Sequence, residues 1–206
     1  MNILIIGSGG REFTFAWKLS QSPKTDKLFI APGNAGTEQF GQNIDLAVED
    51  FQGIAQFVTE NEINLVLVGP EVPLVSGIRD YFESRKDLKN VLMIGPGTSG
   101  ARLEGSKDFS KEFMNRHGIP TAKAATFSES ELTAGINYLS TCDYPIVLKA
   151  DGLAAGKGVV ISQTEEEAVT VLTEMLQNKK FGAASSKVLI EEFLDGPLLS
   201  YLNELG

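Results

Sequence analysis

Short apolar runs alternate with helical patterns through the first hundred residues of the chain. We predict four strands in this part: Asn2–Ile6, Lys27–Ala31, Leu65–Val68 and Val91–Ile94. Apolar strands that alternate with helices are typical of a parallel sheet covered on both faces. The N-terminal part is therefore predicted to have an α/β fold with an open parallel sheet.

Two helices are predicted between these strands. One spans Phe51–Asn61, because its apolar residues have the i, i+3, i+4, i+7 spacing of a helix with one buried face: Phe51, Ile54, Ala55 and Val58. The other lies near Glu12–Gln21 and is predicted to bury Phe13, Ala16 and Trp17.

The conspicuous loops all follow predicted strands: Gly7–Arg11, Pro32–Gly36, Gly69–Pro73 and Gly95–Gly97. The carboxyl ends of parallel strands lie along one edge of a sheet, and open α/β sheets bind ligands at that edge. Asn34 and Glu71 each place a polar side chain in a loop that reads as a rigid turn. Each side chain serves either turn chemistry or a small polar ligand.

The pattern changes after about residue 105. A helix at Lys107–His117 is followed by two candidate capping boxes, Ser128-x-x-Glu131 and Thr164-x-x-Glu167. The second box opens a helix with an apolar stripe: Ala168, Val171, Leu172, Met175 and Leu176. Three more strands complete a small α+β unit: Ile146–Ala150, Val159–Ser162 and Lys187–Glu191.

Composition excludes several classes of function. The net charge of −9 over 206 residues argues against a nucleic-acid partner. The single cysteine, Cys142, excludes an internal disulfide, and there is no Cys/His cluster for zinc. We interpret the single histidine, His117, as part of a helix end. Without a signal peptide or membrane-spanning run, we expect a cytoplasmic protein with no membrane partner.

The segment from Lys149 to Val159 joins two predicted strands and contains three glycines and two lysines. Glycine lets backbone N–H groups approach an anion, and Lys149 and Lys157 add positive charge. Because the segment joins two strands, it is neither a Walker loop nor a dinucleotide turn. We interpret it as a flap that closes over a polyphosphate, with an ordinary surface hairpin as the alternative.

Two further segments allow two interpretations each. Residues 7–12, Gly-Ser-Gly-Gly-Arg-Glu, suit either a single phosphate or a plain βα turn. Glu12 replaces the third glycine of a dinucleotide fingerprint, and no acidic residue ends the second strand, which weighs against a nicotinamide dehydrogenase. Residues 190–194, Ile-Glu-Glu-Phe-Leu, are either a solvated strand end or a place for adenine and ribose.

Together these motifs resemble the phosphoribosylamine–glycine ligase family of the ATP-grasp superfamily. The resemblance runs from Met1 to about Gly196 and includes Ala-Pro-Gly-Asn-Ala-Gly at 31–36 and Gly-Pro-Glu-Val-Pro-Leu at 69–74. It continues with Leu-Glu-Gly-Ser-Lys at 103–107, Arg-His-Gly-Ile-Pro-Thr-Ala at 116–122, the glycine-rich segment at 149–159 and Glu-Glu-Phe-Leu-Asp-Gly at 191–196.

The resemblance implies an ATP-dependent carbon–nitrogen ligase of purine biosynthesis. ATP would phosphorylate glycine, and the amine of 5-phosphoribosylamine would attack the acyl phosphate, leaving glycinamide ribonucleotide, ADP and phosphate. The matching motifs imply ATP contacts from Lys107, Lys149, Gly152, Gly156, Lys157, Gly158, Glu191, Glu192, Phe193 and Leu194. They imply phosphoribosylamine contacts from Gly9, Gly10, Asn34, Gly36 and Glu71.

The sequence departs from the family pattern in three ways. Phe13 stands where the family usually has a histidine. Leu198 stands where the family usually has a glutamate that binds ribose, although Ser200 still fits the family pattern. The chain also ends at Gly206, before the segments that supply the second ATP-grasp lobe. The ligands of Mg²⁺ are therefore expected outside this chain.

The resemblance also implies a domain organisation. A pre-ATP-grasp domain spans residues 1–104, a helix and linker 105–122, the small ATP-grasp lobe 123–196, and an atypical tail 197–206. We expect little ligase turnover from this chain alone, because a nucleotide held from one side lacks its metal carboxylates. The alternative is a non-catalytic fragment that binds a nucleotide or sugar phosphate and needs a separate C-terminal half.

Overall fold

A computed structural model describes residues 1–153, 158–178, 180, 182 and 186–195. Two predicted ATP contacts, Gly156 and Lys157, lie outside these residues, as does Leu198. The chain divides into two compact units, Met1–Gly105 and a second that begins at Ser106. Among the described residues, no helix is both long and apolar enough to cross a membrane.

The first unit is built on a parallel sheet of five strands. These are β1 (Asn2–Gly7), β2 (Lys27–Pro32), β3 (Gln42–Asn43), β4 (Leu65–Val68) and β5 (Leu92–Ile94). Their order across the sheet is β3-β2-β1-β4-β5. The predicted parallel sheet is confirmed, and its four predicted strands agree with the structure to within one residue at each end.

Helices cover both faces of this sheet: α1 (Gly10–Ser20), α2 (Phe51–Glu60), α3 (Glu71–Val75), α4 (Ile78–Ser84) and α5 (Thr98–Gly105). On one face, Leu4 and Ile6 of β1 pack in a cluster with Ile54 of α2 and Ile78 of α4. On the other face, Ile5 packs in a cluster with Ala16 of α1. Burying a side chain as large as leucine or isoleucine contributes about 1.5–3 kcal/mol, so these clusters hold the layers together.

Two predictions for this unit are wrong. Phe13 and Trp17 are not buried by α1, since they are 36% and 47% exposed. The buried residues of α1 are Glu12 and Ala16, because a carboxylate turned inward sets which side of the helix faces the sheet. The segment after β4 is a short helix, α3, rather than a rigid turn alone.

The second unit is a small α+β unit, as predicted. Its elements are α6 (Lys107–Arg116), β6 (Ala124–Ser128), α7 (Leu132–Leu139), β7 (Ile146–Ala150), β8 (Val159–Ser162), α8 (Glu165–Leu176) and β9 (Lys187–Glu192). The antiparallel sheet has the order β6-β9-β7-β8. Strands β7 and β8 match the prediction at both ends.

The two faces of this sheet differ. Leu148 of β7 and Ile190 of β9 pack in one buried cluster with Leu172 and Met175 of α8. Lys149, Val147, Leu189 and Glu191 alternate with these residues along β7 and β9, so they lie on the opposite face. Val159 and Ile161 of β8 pair with Lys149 and Val147, lie on the same face and are 43% and 46% exposed.

Capping side chains fix where the helices of this unit begin. Ser106 Oγ accepts a hydrogen bond from Phe109 N at 3.1 Å at the start of α6. The predicted box of Ser128 and Glu131 forms, and it opens a 3-10 turn just before α7. Thr164 Oγ1 accepts from Glu167 N at 3.3 Å at the start of α8. Such caps stabilise a helix by roughly 1 kcal/mol each.

Candidate functional site

Three of the predicted loops meet at the carboxyl edge of the parallel sheet in the first unit. Gly33 N donates to Gly7 O at 3.1 Å, which joins the loops after β2 and β1. Asn34 Nδ2 donates to Ser8 O at 2.8 Å. The guanidinium of Arg11, in the first turn of α1, donates to Gly69 O in the loop after β4. The structure therefore brings these loops into contact with one another.

A buried carboxylate lies among these loops. Glu12 is 4% exposed, and its carboxylate accepts a hydrogen bond from Gly9 N at 2.6 Å. A Cβ at Gly69 would lie 1.9 Å from Glu12 Oε1, and a Cβ at Gly7 would lie 2.7 Å from Glu12 Cγ. Glycine at these two positions leaves the space that the Glu12 side chain occupies.

The Asn34 side chain is used within its own loop. Its Oδ1 accepts from Gly36 N at 2.7 Å and from Thr37 N at 3.1 Å, while its Nδ2 donates to Ser8. Asn34 therefore shapes the loop and leaves little hydrogen-bonding capacity for a ligand. Of the other predicted residues here, Gly9 caps α1 and Gly10 begins it.

Phe13 lies over the glycine at position 36. A Cβ at Gly36 would lie 2.8 Å from the Phe13 ring. The same ring makes an edge-to-face contact with Phe40, with ring centroids 5.5 Å apart. An apolar ring thus covers Gly36.

Glu71 lines a different part of this edge. It borders a cleft of about 380 Å³ together with Arg11, Gly69, Pro96 and Glu104. Asn34 and Gly36 are not among the described residues that line this cleft. The predicted substrate residues therefore fall into two groups, one around the loop of Asn34 and one around Arg11 and Glu71.

A cluster of two lysines and one carboxylate lies on the sheet face opposite α8. This face, called the open face below, is exposed at Val159 and Ile161 of β8 but buried at Leu189. Glu191 is 7% exposed and forms ion pairs with both Lys111 and Lys149. Burial alone would raise the pKa of the Glu191 carboxyl, but hydrogen bonds from Lys111 and Lys149 hold that pKa below its ordinary value. Glu191 is therefore charged at neutral pH, and the cluster carries one net positive charge.

The first lysine of α6 reaches the start of the glycine-rich segment. Lys107 Nζ donates to Gly152 O at 3.1 Å and to Asp151 O at 3.3 Å. The Asp151 carboxylate accepts from Asp108 N at 2.8 Å and from Ser106 Oγ at 3.2 Å. Ala150 N donates to Gly158 O at 2.8 Å at the other end of the segment. The structure thus places Lys107 beside Gly152.

The end of β9 presents apolar surface. Phe193 and Leu194 are 39% and 67% exposed, and the Glu192 carboxylate accepts from Lys123 N at 2.8 Å. Exposed apolar side chains such as these suit the flat aromatic part of a ligand. A cleft of about 690 Å³ lies at this end of the sheet, lined among others by Tyr138, Tyr144, Cys142, Glu192 and Phe193.

Sequence reasoning missed Lys111 and the structural role of Glu12. Lys111 lies one helical turn after Lys107, and only that spacing could have indicated a shared role. Nothing in the sequence shows that Lys111 is buried, because the burial depends on Glu191, about 80 positions away in the chain.

No group of three or more His, Cys, Asp or Glu side chains within the described ranges could hold a metal ion. The two carboxylates nearest the lysines, Glu191 and Asp151, accept hydrogen bonds from lysines, a serine and a backbone N–H. Both carboxylates are therefore already engaged by other groups of the second unit.

Comparisons with known proteins match both units to domains of the same protein family. Residues 1–104 match the family model of the N domain of phosphoribosylglycinamide synthetase, and residues 105–203 match that of its ATP-grasp (A) domain. A phosphoribosylamine–glycine ligase of Yersinia pestis is 47% identical over 204 residues, which is 98% of this chain and 46% of the relative. One of Pseudomonas syringae is 49% identical over the same share of each chain.

A solved structure shows the same fold. The crystal structure of phosphoribosylamine–glycine ligase from Thermotoga maritima matches with a TM-score of 0.77 and 30% identity. The match covers 96% of this chain and 45% of that one. The chain therefore spans about half the length of the relatives it matches.

Proposed function

The chain belongs to the phosphoribosylglycinamide synthetase family, and we propose that it supplies the N-terminal portion of an ATP-dependent ligase. The whole enzyme would join glycine to 5-phosphoribosylamine through a glycyl phosphate. The relatives in Yersinia pestis and Pseudomonas syringae carry the name of this ligase. In this proposal the second unit binds ATP and the first unit binds the phosphoribosylamine.

The observation that carries the proposal is the open sheet face of the second unit. It combines the Lys149 ammonium with exposed apolar surface at Val159 and Ile161. Lys107 lies beside the glycine-rich segment that follows β7. A nucleotide needs this combination, because its base is flat and apolar while its phosphates are anionic.

In this proposal the lysines act by electrostatic stabilisation of the phosphoryl group. Transfer of a phosphoryl group spreads negative charge over its oxygens, and fixed ammonium groups stabilise that charge better than water, which must reorient. Lys149 and Lys107 would supply this charge, while the apolar side chains would exclude water from the acyl phosphate. Mg²⁺ would neutralise further phosphate charge, and its ligands would come from elsewhere in the whole enzyme.

The first unit would hold the sugar phosphate at the carboxyl edge of its sheet. Backbone N–H groups at the start of α1 favour an anion. Arg11 and Glu71 in the neighbouring cleft would bind the phosphate and the amine or hydroxyl groups of the sugar, respectively. Glu12 would hold the turn of Gly9 in place for this purpose.

A chimaeric enzyme tests the proposal. The residues of the Yersinia pestis ligase that align with this chain would be replaced by it, and ADP release would be measured with and without glycine and 5-phosphoribosylamine. We expect ADP release that depends on both substrates, and at least a hundredfold loss in the Lys149→Met chimaera, since electrostatic stabilisers of this kind contribute about 10²–10³ in rate. A folded chimaera without such activity would contradict the proposal.

A further inference from the structure

Lys111 is a buried lysine that the proposed function does not use. Its side chain is 11% exposed and its Nζ donates to Thr121 Oγ1 at 2.6 Å and to Ala122 O at 2.7 Å. Its ion pair with Glu191 completes three hydrogen-bond partners, the full capacity of an ammonium group. Lys111 therefore has no donor left for a ligand.

A series of contacts leads from residues 121–122 through Lys111 and Glu191 to Lys149 on the open face. The backbone and hydroxyl of residues 121–122 hold Lys111, and Lys111 contacts one carboxylate oxygen of Glu191. The other oxygen of Glu191 contacts Lys149, whose side chain is 30% exposed. The cation at the exposed end is thus held through two buried charged groups.

Burial of the Lys111 ammonium and the Glu191 carboxylate costs desolvation energy. This cost is offset only if each charged group keeps all its partners. A buried charge without its partner strongly destabilises a protein. Without Lys111, Glu191 would keep a single cationic partner in a buried position. Its carboxylate would then either take up a proton or move towards solvent, and in both cases Lys149 would lose its fixed acceptor.

We propose that Lys111 and Glu191 are positioning residues that hold the Lys149 ammonium in the place where it meets the phosphates of the nucleotide. This inference rests on the proposed nucleotide site of the second unit and assigns a role to two residues that do not touch the phosphates. Among the described residues Lys149 pairs with Glu191, which accepts one N–H of its ammonium group, so that two N–H donors can face an anion.

The positioning role and a simple charge effect predict opposite results for Glu191→Gln. This substitution removes one negative charge and raises the net charge of the cluster from +1 to +2. If net charge alone controlled binding, the variant would bind polyphosphate more tightly. If Glu191 positions Lys149, the variant binds more weakly despite its higher charge.

Calorimetry with inorganic tripolyphosphate tests this directly, because the probe lacks adenine and ribose and therefore reports the phosphate contacts alone. We expect Lys111→Met and Glu191→Gln each to bind about tenfold more weakly than the unsubstituted chain, as for one lost charge-assisted hydrogen bond. The matched control is Lys180→Met, because Lys180 pairs with Glu174 on the surface of the same unit. That variant should bind within about twofold of the unsubstituted chain.

A second measurement needs no ligand. An ammonium group gives a ¹H–¹⁵N cross-peak when hydrogen bonds slow its exchange with water, and we expect such a peak for Lys149 in the unsubstituted chain. The peak should disappear in Lys111→Met and Glu191→Gln and persist in Lys180→Met. If Lys111→Met does not fold, the Lys149 peak of Glu191→Gln alone tests the positioning role, because this substitution keeps the shape of the side chain.

The outcomes separate this inference from the proposed function. Binding of ADP and tripolyphosphate that is equal or tighter in Glu191→Gln, or a Lys149 peak that survives both substitutions, overturns the positioning role and leaves the nucleotide site intact. If the unsubstituted chain binds neither ADP nor tripolyphosphate, the proposed nucleotide site is wrong, and the positioning role is wrong with it.

Discussion

The Glu12 side chain fills the space next to Gly69 that any side chain at position 69 would need. A Cβ at position 69 would lie 1.9 Å from Glu12 Oε1, a distance that no pair of non-bonded atoms tolerates. Glu12 lies in the first turn of α1, whereas Gly69 lies in the loop after β4. Their fit fixes the carboxyl edge of the parallel sheet.

Gly69→Ala is therefore expected to destabilise the first unit. The new methyl group would displace the buried Glu12 carboxylate, and overpacking of this kind costs about 1–3 kcal/mol. The free energy of unfolding can be measured in urea by fluorescence, because Trp17 is the chain's single tryptophan and lies in this unit.

Gly10→Ala is the matched control for this change. A Cβ at Gly10 meets no atom within 4 Å, and the residue begins helix α1. Alanine is favoured over glycine in helices, so this variant should unfold at an equal or slightly higher urea concentration. Equal loss of stability in the two variants would show that the fit between Glu12 and Gly69 is not the cause.

The stability of the second unit is expected to fall in acid because of Glu191. The pKa of Glu191 is lowered in the folded state, so its contribution is complete above its ordinary pKa of about 4.5 and is lost as the pH falls through the folded-state value. Asp108, whose pKa is held low by Lys187 against the effect of burial, acts in the same direction below pH 4.

Amide hydrogen exchange of β9 measures this effect. Its protection should decrease more steeply below pH 4.5 in the unsubstituted chain than in Glu191→Gln, which has no carboxylate to protonate. Identical pH profiles for the two proteins would contradict the assignment of the acid sensitivity to Glu191.

Phe13→Ala is expected to loosen the loop that contains Gly36. The substitution removes the edge-to-face contact with Phe40, and aromatic pairs of this geometry contribute about 0.5–1.5 kcal/mol. A lowered midpoint of thermal unfolding of the first unit, followed by the fluorescence of Trp17, would confirm it. Lys18→Ala, an exposed position on the same helix, is the control, and a midpoint equal to that of this control would refute the packing role of Phe13.

The regular elements were predictable where the periodicity was long or the strand was buried. Strands β4, β7 and β8 agree with the prediction at both ends, and α2 has the expected buried stripe. The short helices α3 and α4 were missed because five to seven residues show too little periodicity. Strand β6 was missed because all its residues are half-buried, so no alternation marks it.

The charged groups inside the site were the least predictable feature. A glutamate or lysine is read as exposed from sequence alone, because ionised side chains are seldom buried without a partner. Glu12 and Lys111 are buried since backbone groups and a carboxylate from distant parts of the chain pair with them. Those pairings exist only in the folded structure, so the phase of α1 and the role of Lys111 could not be inferred beforehand.

A titration of the ¹⁵N-labelled chain with ADP, followed by amide NMR, tests the central claim most directly. We expect shift changes to concentrate on the open sheet face and its borders: Lys107, residues 147–152, 158–161 and 189–194. The same titration of Lys149→Met should give much smaller changes. Shift changes confined to the first unit, or equal changes in both proteins, would contradict a nucleotide site built around Lys149.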